Sequence, residues 1–510
     1  MTYVTLTPNV HTYDGNTLNI NQLAETQSIS TIANFENINI VLGAENTAEQ
    51  LETTALIDLS GTLYLGNGYA TEEATATASE AGDTQATTAT KYANFGLYTS
   101  LDSTLATGDT VTLFTAKDID GNFANLGEDN SGSYTGSYGT LLAKTWDILT
   151  VGNDDDGYTM TATLKSTQAG EQSKVLGEAS VSSVAALSAG ADLLTGPAMA
   201  SAQARVEAQS SSKSSAEASG GNSSLSSGPS AAPFAVSSVG QSRYHTGSHV
   251  DTESFSVNAG VAYGGQGTDG DWLSGIFVEY SRGEYTTYNS FSTGSVEGEG
   301  TSNAFGLGGF ARYDFNGNSS KYKDFNPYVE GSVRLGYVEA DYASDGGDGA
   351  GIPMEFDVRH MYMGAHLGLG SVSQLTDKVS LDLSLRYFWT HQMGGNENIA
   401  GHNVDFHAVD SHRVRLGART DYALMDDQES GRFTLYSGVA MEQEFDGTAK
   451  SSVDGYEAPA PSLQGTTVLG ELGFTYTPLN VFPMTIDLGF QGYTGKREGV
   501  SGSLQLIYAF

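Results

Sequence analysis

Along its second half the chain alternates apolar and polar residues with a period of two. Val379, Leu381, Leu383, Leu385, Tyr387 and Trp389 interleave with Ser380, Asp382, Ser384, Arg386, Phe388 and Thr390. The same rhythm sets Val414, Leu416, Ala418, Thr420 and Tyr422 against Arg413, Arg415, Gly417, Arg419 and Asp421, and Phe433, Leu435, Val439, Met441 and Phe445 against Thr434, Tyr436, Gly438, Glu442 and Glu444. At the end of the chain Leu504, Leu506, Tyr508 and Phe510 share one face, while Ser503, Gln505 and Ala509 share the other. Side chains on a strand point alternately to its two faces, so each segment is a strand with one oily side. Strands of about ten residues or more, apolar with aromatics on one face and charged on the other, predict a transmembrane β-barrel. The strands of a soluble sandwich are usually about half that length. About twelve strands are expected, near 234-246, 254-264, 272-284, 302-315, 326-342, 358-371, 378-391, 410-423, 431-446, 466-477, 484-493 and 499-510. Longer gaps, expected as outside loops, follow the third, fifth, seventh and ninth strands, and an even strand number puts both barrel ends on the periplasmic side.

Ahead of this region the pattern differs. Short β-branched or apolar runs, Thr17 to Ile20, Ile38 to Leu42, Leu56 to Leu65 and Val111 to Phe114, are bounded by Gly, Asn or Asp and read as strand and turn. Tandem short strands suit a parallel β-helix, although their period is irregular and a small β-sandwich is the alternative. From Gln172 the spacing becomes helical, through Val175, Leu176, Ala179, Val184, Leu187 and Leu194, with a break expected at Gly196 and Pro197. This Ala- and Ser-rich helix is slim, which suits a narrow pore. A Ser- and Gly-rich stretch then reads as a flexible linker. The expected organisation is a β-helix-like segment over 1-171, a lumen helix over 172-209, a linker over 210-233 and the barrel over 234-510. The fold class is therefore all-β, with one helix inside a transmembrane antiparallel barrel.

Composition narrows the function. Lys and Arg number 23 against 60 Asp and Glu, a net charge of −37, which argues strongly against nucleic acid as a partner. The chain has no cysteine, in keeping with export to an oxidising compartment. No apolar run is long enough for a membrane-spanning helix. The N-terminal residues lack the basic segment, apolar core and small-residue cleavage site of a signal peptide, so the chain is expected to be the C-terminal part of a longer product. No nucleophile elbow or zinc-protease motif occurs, and the histidines are scattered, so no catalytic, cofactor or metal site is expected. Asp154 to Asp156 before Gly157, and Asp118 with Asp120 before Gly121, read as solvated acidic turns rather than calcium loops.

Several segments together are similar to the translocators of the autotransporter (type V secretion) family: YVEGSVRLGYVEADY at 328-342, KVSLDLSLRYFWTHQ at 378-392, DSHRVRLGAR at 410-419, GELGFTYTP at 470-478 and GYTGKREGVSGSLQLIYAF at 492-510. The stretch ALSAGADLLTGPAMASA at 186-202 resembles the family's pore helix. The chain departs from the family in its lack of a signal peptide and its long Ser/Gly insert. The resemblance implies an outer-membrane barrel, a monomer in lipid, that exports and anchors its own N-terminal passenger at the cell surface. It further implies that Leu504, Leu506, Tyr508 and Phe510 are read by the barrel-assembly machinery, with periplasmic chaperones as partners on the way. Glu279, Glu330, Arg334, Asp382, Arg386, Arg413, Arg415, Arg419, Glu442, Glu444, Glu471 and Asp487 are expected to face the lumen. There they would grip a threaded helix, or pair among themselves and hold the barrel's shape. A porin-like barrel that exports nothing is the alternative.

Overall fold

A computed structural model describes residues 4–6, 17–21, 23, 25–66, 91–139, 141–153, 155–200, 202–203, 230–266, 270–291, 294–315, 325–344, 353–427, 431–478 and 484–508. The chain divides into two units, the first ending at Gly170 and the second beginning at Glu171.

The first unit holds β1 (Val4–Leu6), β2 (Thr17–Asn21), β3 (Gln27–Ile32), β4 (Asn37–Leu42), β5 (Ile57–Tyr64), β6 (Tyr92–Thr99), β7 (Thr110–Asp120), β8 (Asn122–Phe123), β9 (Gly132–Tyr138), β10 (Leu142–Asn153) and β11 (Gly157–Ala169). Successive strands fall alternately into two parallel stacks, β1-β3-β5-β7 and β2-β4-β6. The antiparallel run β9-β10-β11 joins them, with β11 beside β7 and β9 beside β6. Alternation turns Ile38, Ile40 and Leu42 of β4 inward, onto a core that also holds Phe95, Leu113, Trp146 and Leu164. On the other face of β2, β4 and β6 amides stack in register. Asn94 donates to Asn37 at 2.9 Å and Asn39 donates to Asn19 at 3.0 Å, so each side chain satisfies the next.

The second unit is a closed barrel of β12 (Ser230–His245), β13 (His249–Gln266), β14 (Asp271–Phe291), β15 (Gly294–Asp314), β16 (Asn326–Ser344), β17 (Met354–Thr376), β18 (Val379–Gln392), β21 (Val409–Asp427), β22 (Gly431–Glu444), β25 (Gly465–Thr477), β26 (Met484–Gly495) and β27 (Arg497–Tyr508). Each strand is antiparallel to its neighbours, and β27 closes on β12 from Val236↔Gln505 to Tyr244↔Arg497. Closure leaves no bare edge, the condition for a sheet to sit in hydrocarbon. The outer face is apolar across a band. On β14 it runs Trp272, Ile276, Val278 and Tyr280, and then turns charged at Arg282 and Glu284. Touching rings mark the upper border through Phe255, Tyr280, Phe305 and Tyr337, with centroids 6.4, 4.7 and 5.6 Å apart. Tyr263 with Trp272, and Tyr313 with Phe315, mark the lower. These are the aromatic girdles of an outer-membrane barrel.

Three expectations needed correction. The stretch after the third expected strand is no loop: β14 and β15 continue through it, paired from Tyr285↔Gly300 to Phe291↔Gly294. The reason is that the two-residue alternation persists beyond the apolar band, with Tyr285, Thr287 and Asn289 turned inward. The loops after β18 and β22 are themselves ordered as β19 (Gly395–Ile399), β20 (His402–Phe406), β23 (Ser451–Val453) and β24 (Tyr456–Glu457), a four-stranded sheet. Val404, Phe406 and Val453 are buried there, and the Phe406 ring packs on Phe356 and His360 of β17, with centroids 6.4 and 5.5 Å away. The expected linker over 210-233 also overlaps β12, because Ala231, Ala232 and Pro233 already pair with Tyr263, Ala262 and Val261.

Candidate functional site

The lumen is occupied by a helix, Lys174–Leu193, about 30 Å long at 1.5 Å per residue. Small side chains let it fit. Ala186 lies against the wall where a Cβ built on Gly283 would stand 3.8 Å away, and Ser182 meets Ser302 at 3.3 Å between hydroxyl oxygens. No break occurs at Gly196 and Pro197. The chain passes through a single π turn, Leu194–Ala198, with Pro197 inside it, and is helical again at Met199. A widened turn relieves the clash that a proline ring makes with the preceding turn, which is why the helix runs on through the position where an interruption was expected.

The helix carries two carboxylates in its span, and the wall binds both. Asp192 accepts from Arg413 at 3.1 Å and Arg415 at 2.8 Å through one oxygen, and from Arg497 at 3.5 Å through the other. Glu442 sits behind, 3.2 Å from Arg413 and 2.6 Å from Arg415, so guanidinium and carboxylate charges alternate in a buried network. About four turns away Glu178 is fully buried. It accepts from Asn289 at 2.6 Å, Ser248 at 3.1 Å and Thr246 at 3.2 Å, with the Lys174 ammonium at 3.3 Å. Two helix carbonyls are also read directly: Arg334 donates to the Leu187 oxygen at 2.8 Å and Asn258 to the Gly190 oxygen at 3.1 Å.

The twelve charged residues singled out from the sequence stand in different relations to this helix. Arg413 and Arg415 bind Asp192, and Glu442 braces them. Arg334 joins the helix to Glu279 at 3.3 Å, and Tyr362 donates to the same Glu279 carboxylate. Glu330 instead gathers Arg386 at 2.7 Å and Arg312 at 3.2 Å within the wall, and Asp382 accepts from Tyr328. Glu444 accepts from Ser411 and the His412 amide. Arg419 pairs with Asp421 at 2.9 Å over the Tyr436 ring, whose hydroxyl donates to Asp487. Glu471 lies beside Gly438, on a side where the helix leaves space. That space is a cavity of about 260 Å³ bounded by Asp192, Thr195, Met199, Arg386, Arg419 and Glu471.

The inner wall is not polar throughout. Toward the end where β12 begins, Leu193, Leu194, Ala198 and Met199 pack on Phe234, Val236, Phe277 and Phe310. Where a wall faces a helix instead of water it becomes protein core, and alternation alone does not report which it faces. Sequence reasoning missed Asp192, Glu178, Arg497, Asn258 and Asn289. Signals existed: Glu178 and Asp192 are the acidic residues of an otherwise Ala- and Ser-rich helix, and counting back by two from Ser503 puts Arg497 on the inner face. Of the four residues assigned to assembly, Leu504 and Leu506 point outward into the apolar band. The backbone of Tyr508 pairs with Met484, and Phe510 lies outside the described residues.

Residues 235–482 match the family model described as Autotransporter beta-domain. No curated protein sequence matches the chain. Among similar solved structures are the β domain of the Bordetella autotransporter Brka, 16% identical, covering 55% of this chain and 99% of that one at a TM-score of 0.42; the transport unit of the autotransporter AIDA-I from Escherichia coli, 15% identical, covering 55% and 90% at 0.41; and the translocator domain of the autotransporter NalP from Neisseria meningitidis, 13% identical, covering 58% and 93% at 0.40. Taken with a closed barrel, an apolar outer band and a helix held by charges in the lumen, the family match makes residues 235–482 an autotransporter β-domain, and the barrel they build an outer-membrane translocator.

Proposed function

We propose that the barrel carries the first unit, the end of a β-helical passenger, to the cell surface and holds it there by the lumen helix. The observation that carries this reading is Asp192, a helix carboxylate shared by three arginines on two separate parts of the wall. An uncompensated buried charge on either partner is strongly unfavourable, so helix and wall hold each other. The alternating stacks of the first unit support the β-helical assignment, since from β1 to β6 each strand pairs in parallel with the strand two further along the chain. In this reading the passenger segment has no enzymatic role, and the lumen charges serve to seat the helix. Leu504, Leu506, Tyr508 and Phe510 form the strand that the barrel-assembly machinery captures by strand addition after periplasmic chaperones deliver the chain.

The test uses the chain's freedom from cysteine. Ala186→Cys with Gly283→Cys should form a disulfide, because their Cβ atoms would be 3.8 Å apart, the usual separation in such bonds. Ala186→Cys with the outward-facing Glu284→Cys should not. Deleting residues 172–208 should raise single-channel conductance. Absence of the first crosslink in a correctly folded barrel, with conductance unchanged by the deletion, would put the helix outside the pore and end this reading.

A further inference from the structure

The helix contains two glycines, Gly177 and Gly190, and each lies beside one of its two carboxylates, Glu178 and Asp192. At both glycines the barrel touches the helix backbone. A Cβ on Gly177 would come within 2.5 Å of the Pro461 ring and 2.9 Å of the Ala449 carbonyl, both from the segment between β22 and β25. On Gly190 it would come within 3.0 Å of the Ser281 hydroxyl and 3.2 Å of the Glu279 carboxylate, and the Gly190 carbonyl accepts from Asn258. Glycine thus stands at two close approaches of helix and wall, and a carboxylate beside each reaches wall donors.

We infer that these two stations, Gly177 with Glu178 and Gly190 with Asp192, are a register key that stops the helix at one position in the pore. The inference rests on the translocator reading: a chain that slides through the barrel needs something to define where it comes to rest. Slipping by one turn in one direction puts Val181 against Pro461, Leu194 between Ser281 and Glu279, and Ser182 and Gly196 in place of the two acids. Slipping the other way puts Lys174 at the site of Glu178 and Ser188 at that of Asp192. Each slip leaves Arg413, Arg415 and Arg497 without their helix carboxylate, and one of them also forces a large side chain into each close contact. Between the stations the helix is read by fit alone: Ala185, Ala186, Ser182, Ser183 and Ser188 are near-interchangeable in size, while Val181, Val184 and Leu187 pack into small apolar clusters with the wall. The stations add charge and close backbone contact to that fit.

The experiment compares two crosslinks in the full chain: Ala186→Cys with Gly283→Cys reports the observed register, and Ser182→Cys with Gly283→Cys reports a one-turn slip. In the otherwise unchanged chain the first should dominate. Combining Glu178→Gln with Asp192→Asn keeps every side-chain shape and removes both charges, and should shift the ratio of the two crosslinks toward the slipped one by about tenfold or more. Ser183→Ala, more than a turn from either station, removes a hydroxyl that donates to the Ala179 carbonyl within the helix and should leave the ratio alone. Heat-modifiable migration verifies that each barrel is folded. An unchanged ratio in the charge-neutral variant overturns the register key while leaving the helix in the pore. Absence of both crosslinks from the parent chain instead removes the translocator reading on which the key depends.

Discussion

The two units are built from the same alternation turned inside out. In the first, β4 points Ile38, Ile40 and Leu42 into a shared core and its asparagines outward. In the second, β14 points Ile276 and Val278 outward, with Ile276 71% exposed, and its Glu279 inward. A period of two defines two faces but not which of them is inside. The surroundings decide that, water for one unit and hydrocarbon for the other. The units also differ in how they end: the first unit's sheet terminates in β1 and β2 among the described residues, whereas the barrel has no terminal strand.

That difference in closure yields the largest expected effect. Removing Leu504 to Phe510 strips β27 of its outward leucines and leaves β12 and β26 with unpaired backbone in lipid. Gel migration of unboiled samples should lose the compact form completely, and a truncated chain that kept it would show that closure is not what the barrel requires. Next comes Ile38→Asp, which places an unpaired charge in a fully buried site of the first unit. A loss of about 4 kcal/mol or more is expected. Limited proteolysis should then degrade residues of the first unit while the barrel keeps its compact migration.

The reverse substitution sharpens the contrast. Leu416→Arg puts a charge on the outer face of β21, where Leu416 is exposed to the membrane, and should cost about 2–4 kcal/mol in lipid. Leu416→Phe should cost little, and reversible unfolding in bilayers would read both. The smallest effect belongs to Lys144, whose ammonium is buried in the first unit against the Leu105 carbonyl at 3.0 Å. Burial pushes its pKa from 10.5 down to about 8. The unfolded chain therefore holds the proton up to about pH 10.5 while the folded one releases it near pH 8. Between those values the unfolded state binds more protons, so first-unit stability should rise with pH. Denaturant titrations followed by the fluorescence of Trp146, with Trp272 and Trp389 replaced by Phe, should show that rise, and Lys144→Met should flatten it.

Much of this was legible in the sequence because membrane barrels obey few rules. Strands must be long, outward positions must be apolar, and girdles must be aromatic, so Val379 to Trp389 announces its own orientation. The inward positions of Arg413, Arg415 and Arg419 follow from the same count. Alternation could not say what those arginines bind. Arg413 and Arg415 meet Asp192, more than two hundred residues earlier in the chain, and Arg497 reaches it from β27. Arg419, from the same strand, pairs within the wall.

The sequence by itself determined the class of barrel, the number and order of its strands and the presence of a slim helix ahead of it, because each depends on local periodicity. Tertiary structure alone decided which inner positions are charged networks and which are apolar core, and that Pro197 sits in a π turn. It alone decided that Gly177, Glu178, Gly190 and Asp192 meet the wall. Those outcomes depend on what stands across the lumen, and strands distant in sequence reach the same point only after the sheet has closed around the helix.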